Sequence, residues 1–167
     1  MSRVVVVAIV ALCISQPFSA RAASLSLCSD QERTLFSCST GRKTVSVCAS
    51  SELSSEAGSV QYRFGSQAAP ELAYPPSSAD WRTMARSGVL TFAGGGGAYL
   101  AFLKGPYRYV VFTAIGKGWG QKAGVVVEKD GKRVASYPCK DKETSELGPD
   151  LFAKAGIRDD TAGFDLP

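Results

Sequence analysis

The feature that most constrains this chain is a succession of short segments in which β-branched and aromatic residues alternate with polar ones, cut at close intervals by glycine and proline. Val60, Tyr62 and Phe64 alternate with Gln61 and Arg63 and stop at Gly65, the pattern of a half-buried strand. Comparable segments lie at 34–38, 44–48, 72–74, 89–92, 98–104, 107–115, 124–129 and 132–137. Strands this short and this closely spaced predict an all-β fold, a single antiparallel β-sandwich or small barrel of about seven to nine strands. The sharpest local signal is Asp130-Gly131 between alternating segments, because a two-residue hairpin turn needs positive φ at both positions. It sets Lys129 opposite Lys132, Glu128 opposite Arg133 and Val127 opposite Val134. Helix is scarce: 78–86 offers about two turns after a Ser78 cap. Pro149–Ala155 is a better short helix, with proline at its first position, Asp150 at the positive end of its dipole and Gly156 as its stop.

The chain opens differently. Arg3 precedes an unbroken apolar run, Val4 to Ile14, followed by Pro17 and the small-residue pattern Ala20-Arg21-Ala22. A bilayer span takes ~20 apolar residues, so the run has the length of a secretory signal core, and cleavage is expected after Ala22. Cys13 follows bulky Leu12 rather than a small residue, so a soluble exported protein without a membrane anchor is expected. The expected organisation is a leader at 1–22, a β domain at 23–142 and an acidic tail at 143–167 carrying the short helix.

Loss of the leader leaves Cys28, Cys38, Cys48 and Cys139, an even set that pairs by default in an oxidising compartment. A hairpin centred near Arg42 and Lys43 would put Cys38 opposite Cys48, leaving Cys28 to pair with Cys139; Cys38–Cys48 and Cys28–Cys139 are the expected bridges. The spacings contain no Cys-x-x-Cys and the chain no histidine, so neither a metal site nor a cofactor is expected.

The missing histidine also excludes Ser-His-Asp and Cys-His nucleophile systems. Gly94 to Gly97 lacks the Gly-Lys-Ser/Thr ending of a phosphate loop, and Gly116-Lys117-Gly118-Trp119-Gly120 fails the dinucleotide pattern because strands flank it. Both read as turns. The nearest approach to Ser-x-x-Lys is Thr40-Gly41-Arg42-Lys43, inside a turn. Glu52, Glu56, Glu71, Asp80 and Glu128 are the candidates for a carboxylate pair, and Asp159-Asp160 reads as an exposed tail.

Charge is unevenly spread. Lys104 to Lys142 carries nine Lys/Arg against three Asp/Glu, whereas Glu143 to Pro167 carries two against six. A basic sheet partly covered by its own acidic tail is the expectation. Tyr107, Arg108, Tyr109, Lys117, Trp119 and Lys122 interleave aromatics with cations, as single-stranded nucleic-acid platforms do, but no RNA-binding signature accompanies them and no nucleic-acid partner is expected. The expected function is that of an exported, non-catalytic binding protein of the inhibitor or immunity type. It would engage a protein or an anionic envelope component through Trp119, Lys117, Arg108, Tyr109 and Lys122. The alternative is a histidine-free hydrolase of envelope polymers acting through paired carboxylates.

Overall fold

The computed structural model describes residues 26–167; the expected leader and its cleavage site lie outside them. The described residues form β1 (Glu32–Ser39), β2 (Thr44–Ser50), β3 (Val60–Ser66), β4 (Ala69–Tyr74), α1 (Trp81–Met84), β5 (Ala85–Phe92), β6 (Gly95–Lys104), β7 (Tyr107–Gly116), β8 (Gly120–Lys129), β9 (Lys132–Pro138), β10 (Thr144–Ser145) and α2 (Pro149–Ala155). The strands make two antiparallel five-stranded sheets. Sheet A has the order β10-β1-β2-β3-β4 and sheet B the order β5-β6-β7-β8-β9. The fold is therefore a β-sandwich, the expected class, with α2 at the expected residues.

Alternation decides what each sheet buries. Phe36, Val45, Val47, Val60 and Tyr62 of sheet A meet Leu100, Phe102, Val111 and Val125 of sheet B in one core. Tyr62 stacks on Tyr109 and tilts against Phe102. Burial pushes the Tyr62 hydroxyl well above the usual phenol range, so it stays neutral there. The opposite face of sheet B is apolar too: Tyr99, Ala101, Val110, Phe112 and Val126 form a second buried cluster.

Each outer face is covered by a terminal segment. Over sheet A, the Leu27 N–H donates to Ser46 Oγ and Arg63 donates to the Leu27 carbonyl and to both carboxylate oxygens of Glu32. Burial alone would raise the Glu32 carboxyl, but Arg63 and the Ser29 N–H outweigh it and hold the group below its ordinary range. Over sheet B runs the acidic tail. Ser87 N–H donates to the Arg158 carbonyl and Asp160 N–H to the Ser87 carbonyl, which lays the chain beside the β5 edge. From there Phe164 reaches the Tyr99 and Phe112 rings at 5.2 and 5.4 Å between centroids, and Leu166 packs on the same cluster. Asp160 is not exposed: its side chain is 5% accessible and paired with Arg108.

The disulfides differ from the expected pairs. They are Cys28–Cys48 and Cys38–Cys139, not Cys38–Cys48 and Cys28–Cys139. The β1–β2 turn closes between Ser39 and Thr44, which brings Cys38 opposite Val45 and Cys48 opposite Thr34. Cys38 thereby shares the inward face with Val45 and Phe64, while Cys48 faces outward, where Cys28 crosses the sheet. Two side chains on opposite faces of a hairpin cannot bridge. Cys38–Cys139 instead joins β1 to the segment leaving β9, closing a loop of 101 residues, which the chain-entropy model values at about 4–5 kcal/mol.

Of three smaller differences, two follow from the length of the strands and the third from a register shift within a hairpin. The expected helix at 78–86 shrinks to Trp81–Met84, capped by Asp80 rather than Ser78, because Ala85 and Arg86 already pair with β6. Gly95, Gly96 and Gly97 belong to β6, and only Gly94 sits in the turn, at φ +76°. The Asp130-Gly131 turn has positive φ at both residues and pairs Lys129 with Lys132 and Glu128 with Arg133, but a register shift then sets Val127 opposite Ala135 rather than Val134.

Peptide mapping without reduction should join Cys28 to Cys48 and Cys38 to Cys139; a Cys38–Cys48 peptide would refute the β1–β2 register. Arg108→Ala strands two carboxylates in a buried setting and should lower unfolding free energy by about 3 kcal/mol, read from the denaturant midpoint. Phe164→Ala should cost about 1–3 kcal/mol; no change would mean that the tail does not pack on sheet B.

Candidate functional site

Sheet B outgrows the segments that cover it, and its uncovered end carries exposed large apolar side chains, as β9 also does at Val134 (56%) and Tyr137 (40%). Val89 and Ile115 lie on its inner face beyond the reach of sheet A, 54% and 61% exposed; Trp119 lies on its outer face, 39% exposed. Ile115 stands beside Gly96, Ala98, Leu147 and Pro149 in a shallow groove of about 260 Å³.

The glycines of this end make room for rings. A side chain at Gly95 would collide with the Phe92 ring and one at Gly116 with the Trp119 indole. Phe92 and Trp119, 5.6 Å apart between centroids, therefore lie over a backbone floor. Lys122, on the same face, sets its ammonium 5.2 Å from the Trp119 ring centre, a cation–π contact worth about 0.5–1 kcal/mol at an exposed site. The two turns at this end are tied together by the Lys117 N–H donating to the Gly94 carbonyl at 2.9 Å. Trp119 is thus folded back over Gly116 while keeping part of its surface in solvent.

Arg108 and Tyr109 have other partners. The Arg108 guanidinium binds Glu128 through Nη1 and Asp160 and the Gly163 carbonyl through Nη2, with its side chain 13% exposed. Asp160 also accepts from the Tyr99 hydroxyl at 3.0 Å; burial, reinforced by the Asp160 charge, pushes that phenol up to about 12. Glu128 pairs here with Arg108, while Arg133 donates to the Asp165 carbonyl. Tyr109 points inward and stacks between Tyr62 and Tyr107. Of the five expected contact residues, Lys117, Trp119 and Lys122 gather at one end of sheet B, while Arg108 anchors the tail and Tyr109 packs the core.

The carboxylate candidates are dispersed. Glu71 pairs with Lys43, Asp80 accepts from the Arg82 N–H at the start of α1, and Glu128 meets Arg108. Asp160, which shares Arg108 with Glu128, was not among them; the guanidinium spans the two acids. Thr40 Oγ1 donates to the Lys43 carbonyl inside its turn. Among the described residues no three metal-binding side chains gather, and no helix is long and apolar enough to cross a membrane.

Sequence reading missed Phe92, Val89 and Ile115, because an apolar residue in a strand reads as core until the lengths of both sheets are known. It also missed a cleft of about 550 Å³ between the start of β8 and the segment that follows β9, lined by Phe112, Lys122, Ser136, Pro138, Lys142 and Glu143 among others. Its residues come from four separated stretches, which no local pattern connects. The chain matches no protein-family model, no curated protein and no solved structure.

Proposed function

We propose that the chain is an exported binding module that engages a protein partner through the projecting end of sheet B, with Val89 and Ile115 on one face and Trp119, Lys117 and Lys122 on the other. The observation that carries this reading is the apolar surface at that end, which no described segment of the chain covers. Such residues are costly to leave in water, and an aromatic held rigidly at the tip of a sheet loses little conformational entropy on binding. The cross-turn bond from Lys117 to Gly94 supports preorganisation of the same kind. The lysines favour a partner with an acidic rim, because complementary charge speeds encounter.

Export is part of the proposal. Two disulfides fit an oxidising compartment, and the basic start, apolar run and Ala20-Arg21-Ala22 of the sequence support passage into the periplasm or the medium by a cleaved leader. The sequencing of the N-terminus of the protein recovered from expressing cells should begin at Ala23; an intact Met1 with reduced cysteines would refute export.

For binding, the wild-type protein and a Trp119→Ala/Ile115→Asp variant, both checked for folding by thermal melt, would be cross-linked in envelope extracts. A partner recovered with the wild type should fall at least tenfold in the variant. Equal recovery would remove this end of sheet B as the interface.

A further inference from the structure

An edge strand presents unpaired N–H and carbonyl groups, and short strands, charges, prolines and bulges keep it from pairing with another chain. The edges of the two sheets are β10, β4, β5 and β9, and all but one carry such guards. β10 has only Thr144 and Ser145. β4 carries Pro70 and Glu71 and runs into Pro75, and β9 carries Lys132, Arg133, a register shift that leaves Val134 unpaired, and a terminal Pro138. The far half of β5 has none of them. Residues 88–92 hold no charge and no proline, and the pairing of β5 with β6 runs without a shift from Ala85–Phe102 to Phe92–Gly95.

The near half of the same edge already pairs with an added segment. The Ser87 N–H donates to the Arg158 carbonyl and the Ser87 carbonyl accepts from the Asp160 N–H, with Asp159 opposite Ser87 in parallel. The strap then turns away onto the Tyr99 and Phe112 rings. In an antiparallel ladder, residues alternate between bonding the neighbouring strand and facing away from it, so the backbone groups of Val89 and Thr91 point the same way as those of Ser87. Among the described residues nothing bonds these outward groups, and both residues are exposed. Alternation sets the Val89 and Thr91 side chains on the inner face of sheet B, and Leu90 and Phe92 on the outer face.

We propose that the partner binds residues 89–92 as an added strand: an extended, uncharged, β-branched segment whose main chain bonds the free N–H and carbonyl groups of Val89 and Thr91. One of its side chains lies beside Val89 on the inner face and the next beside Leu90 and Phe92 on the outer face. The inference rests on the reading of this end of sheet B as the partner surface, and adds the conformation that the partner adopts there. The strap at Ser87 is the same pairing, made by the chain itself one step earlier along the edge.

The test titrates isotope-labelled protein with a soluble peptide, acetyl-Glu-Val-Thr-Val-Thr-Glu-amide, and with the same peptide N-methylated at every central amide, followed by amide NMR. The first should move the Val89 and Thr91 amide resonances and slow their hydrogen exchange; the N-methylated form should bind at least tenfold more weakly. Thr91→Pro removes an outward N–H and no bond to β6, and should abolish the response, whereas Thr91→Val should keep it. Thermal melts confirm that both variants fold. No response at Val89 and Thr91, equal binding of the two peptides, or binding retained in Thr91→Pro would overturn the proposal. The cross-linked envelope partner separates this inference from the reading beneath it. Its loss in Thr91→Pro supports the added strand. Loss in Trp119→Ala/Ile115→Asp but not in Thr91→Pro overturns the added strand and leaves the partner surface standing, and retention in both variants removes the two together.

Discussion

Sheet B is apolar on both faces, and the rest of the molecule is arranged to satisfy that. Its inner face finds sheet A in the ordinary manner of a sandwich. Its outer face carries Tyr99, Val110, Phe112 and Val126, and what shields them is the last stretch of the chain, threaded past Ser87 and across the strands. Arg108 makes that docking specific. A guanidinium with five fixed donors can hold Glu128, Asp160 and the Gly163 carbonyl at once, so the strap is fixed in position by one side chain of β7 while Phe164 and Leu166 supply the apolar cover. The buried pair is best regarded as a register device, since ion pairs out of water gain little net energy once desolvation is counted.

The same arrangement decides which apolar surface is left uncovered for the proposed partner. Sheet A and the strap together cover sheet B up to the level of Tyr99 and Phe112, and the strands continue past that cover into the two glycine-rich turns. There the backbone is held by cross-turn hydrogen bonding and by rings lying over Gly95 and Gly116, so the exposed apolar residues are displayed on a rigid frame. The opposite distribution, with the aromatics on loose loops, would carry a larger entropic cost of binding.

Much of the fold was legible because period-two alternation and the Asp130-Gly131 turn act locally. The β8–β9 register near the turn followed from two residues, and α2 from Pro149 and Gly156. The disulfides were not legible for a stated reason: a β1–β2 register shifted by an odd number of residues exchanges the face on which a cysteine points, and sequence does not fix that shift. Arg108 misled in the same way. As a basic residue in a basic stretch it resembled a contact, yet its partner lies 52 residues away in the acidic tail. The continuous apolar run Val110-Val111-Phe112, unlike the alternation of Val60 to Phe64, was the signal that both faces of β7 would be covered. Lys117, Trp119 and Lys122 did come together, because all three belong to one hairpin.

The account depends most on the strap being a fixed part of the native structure. Amide hydrogen exchange at Asp160, whose N–H donates to the Ser87 carbonyl at 2.8 Å, measures this directly. Protection of that amide approaching that of the β6 and β7 amides is the result expected if the tail closes the outer face. Exchange of Asp160 at the rate of an unstructured peptide, with β6 and β7 still protected, would contradict it.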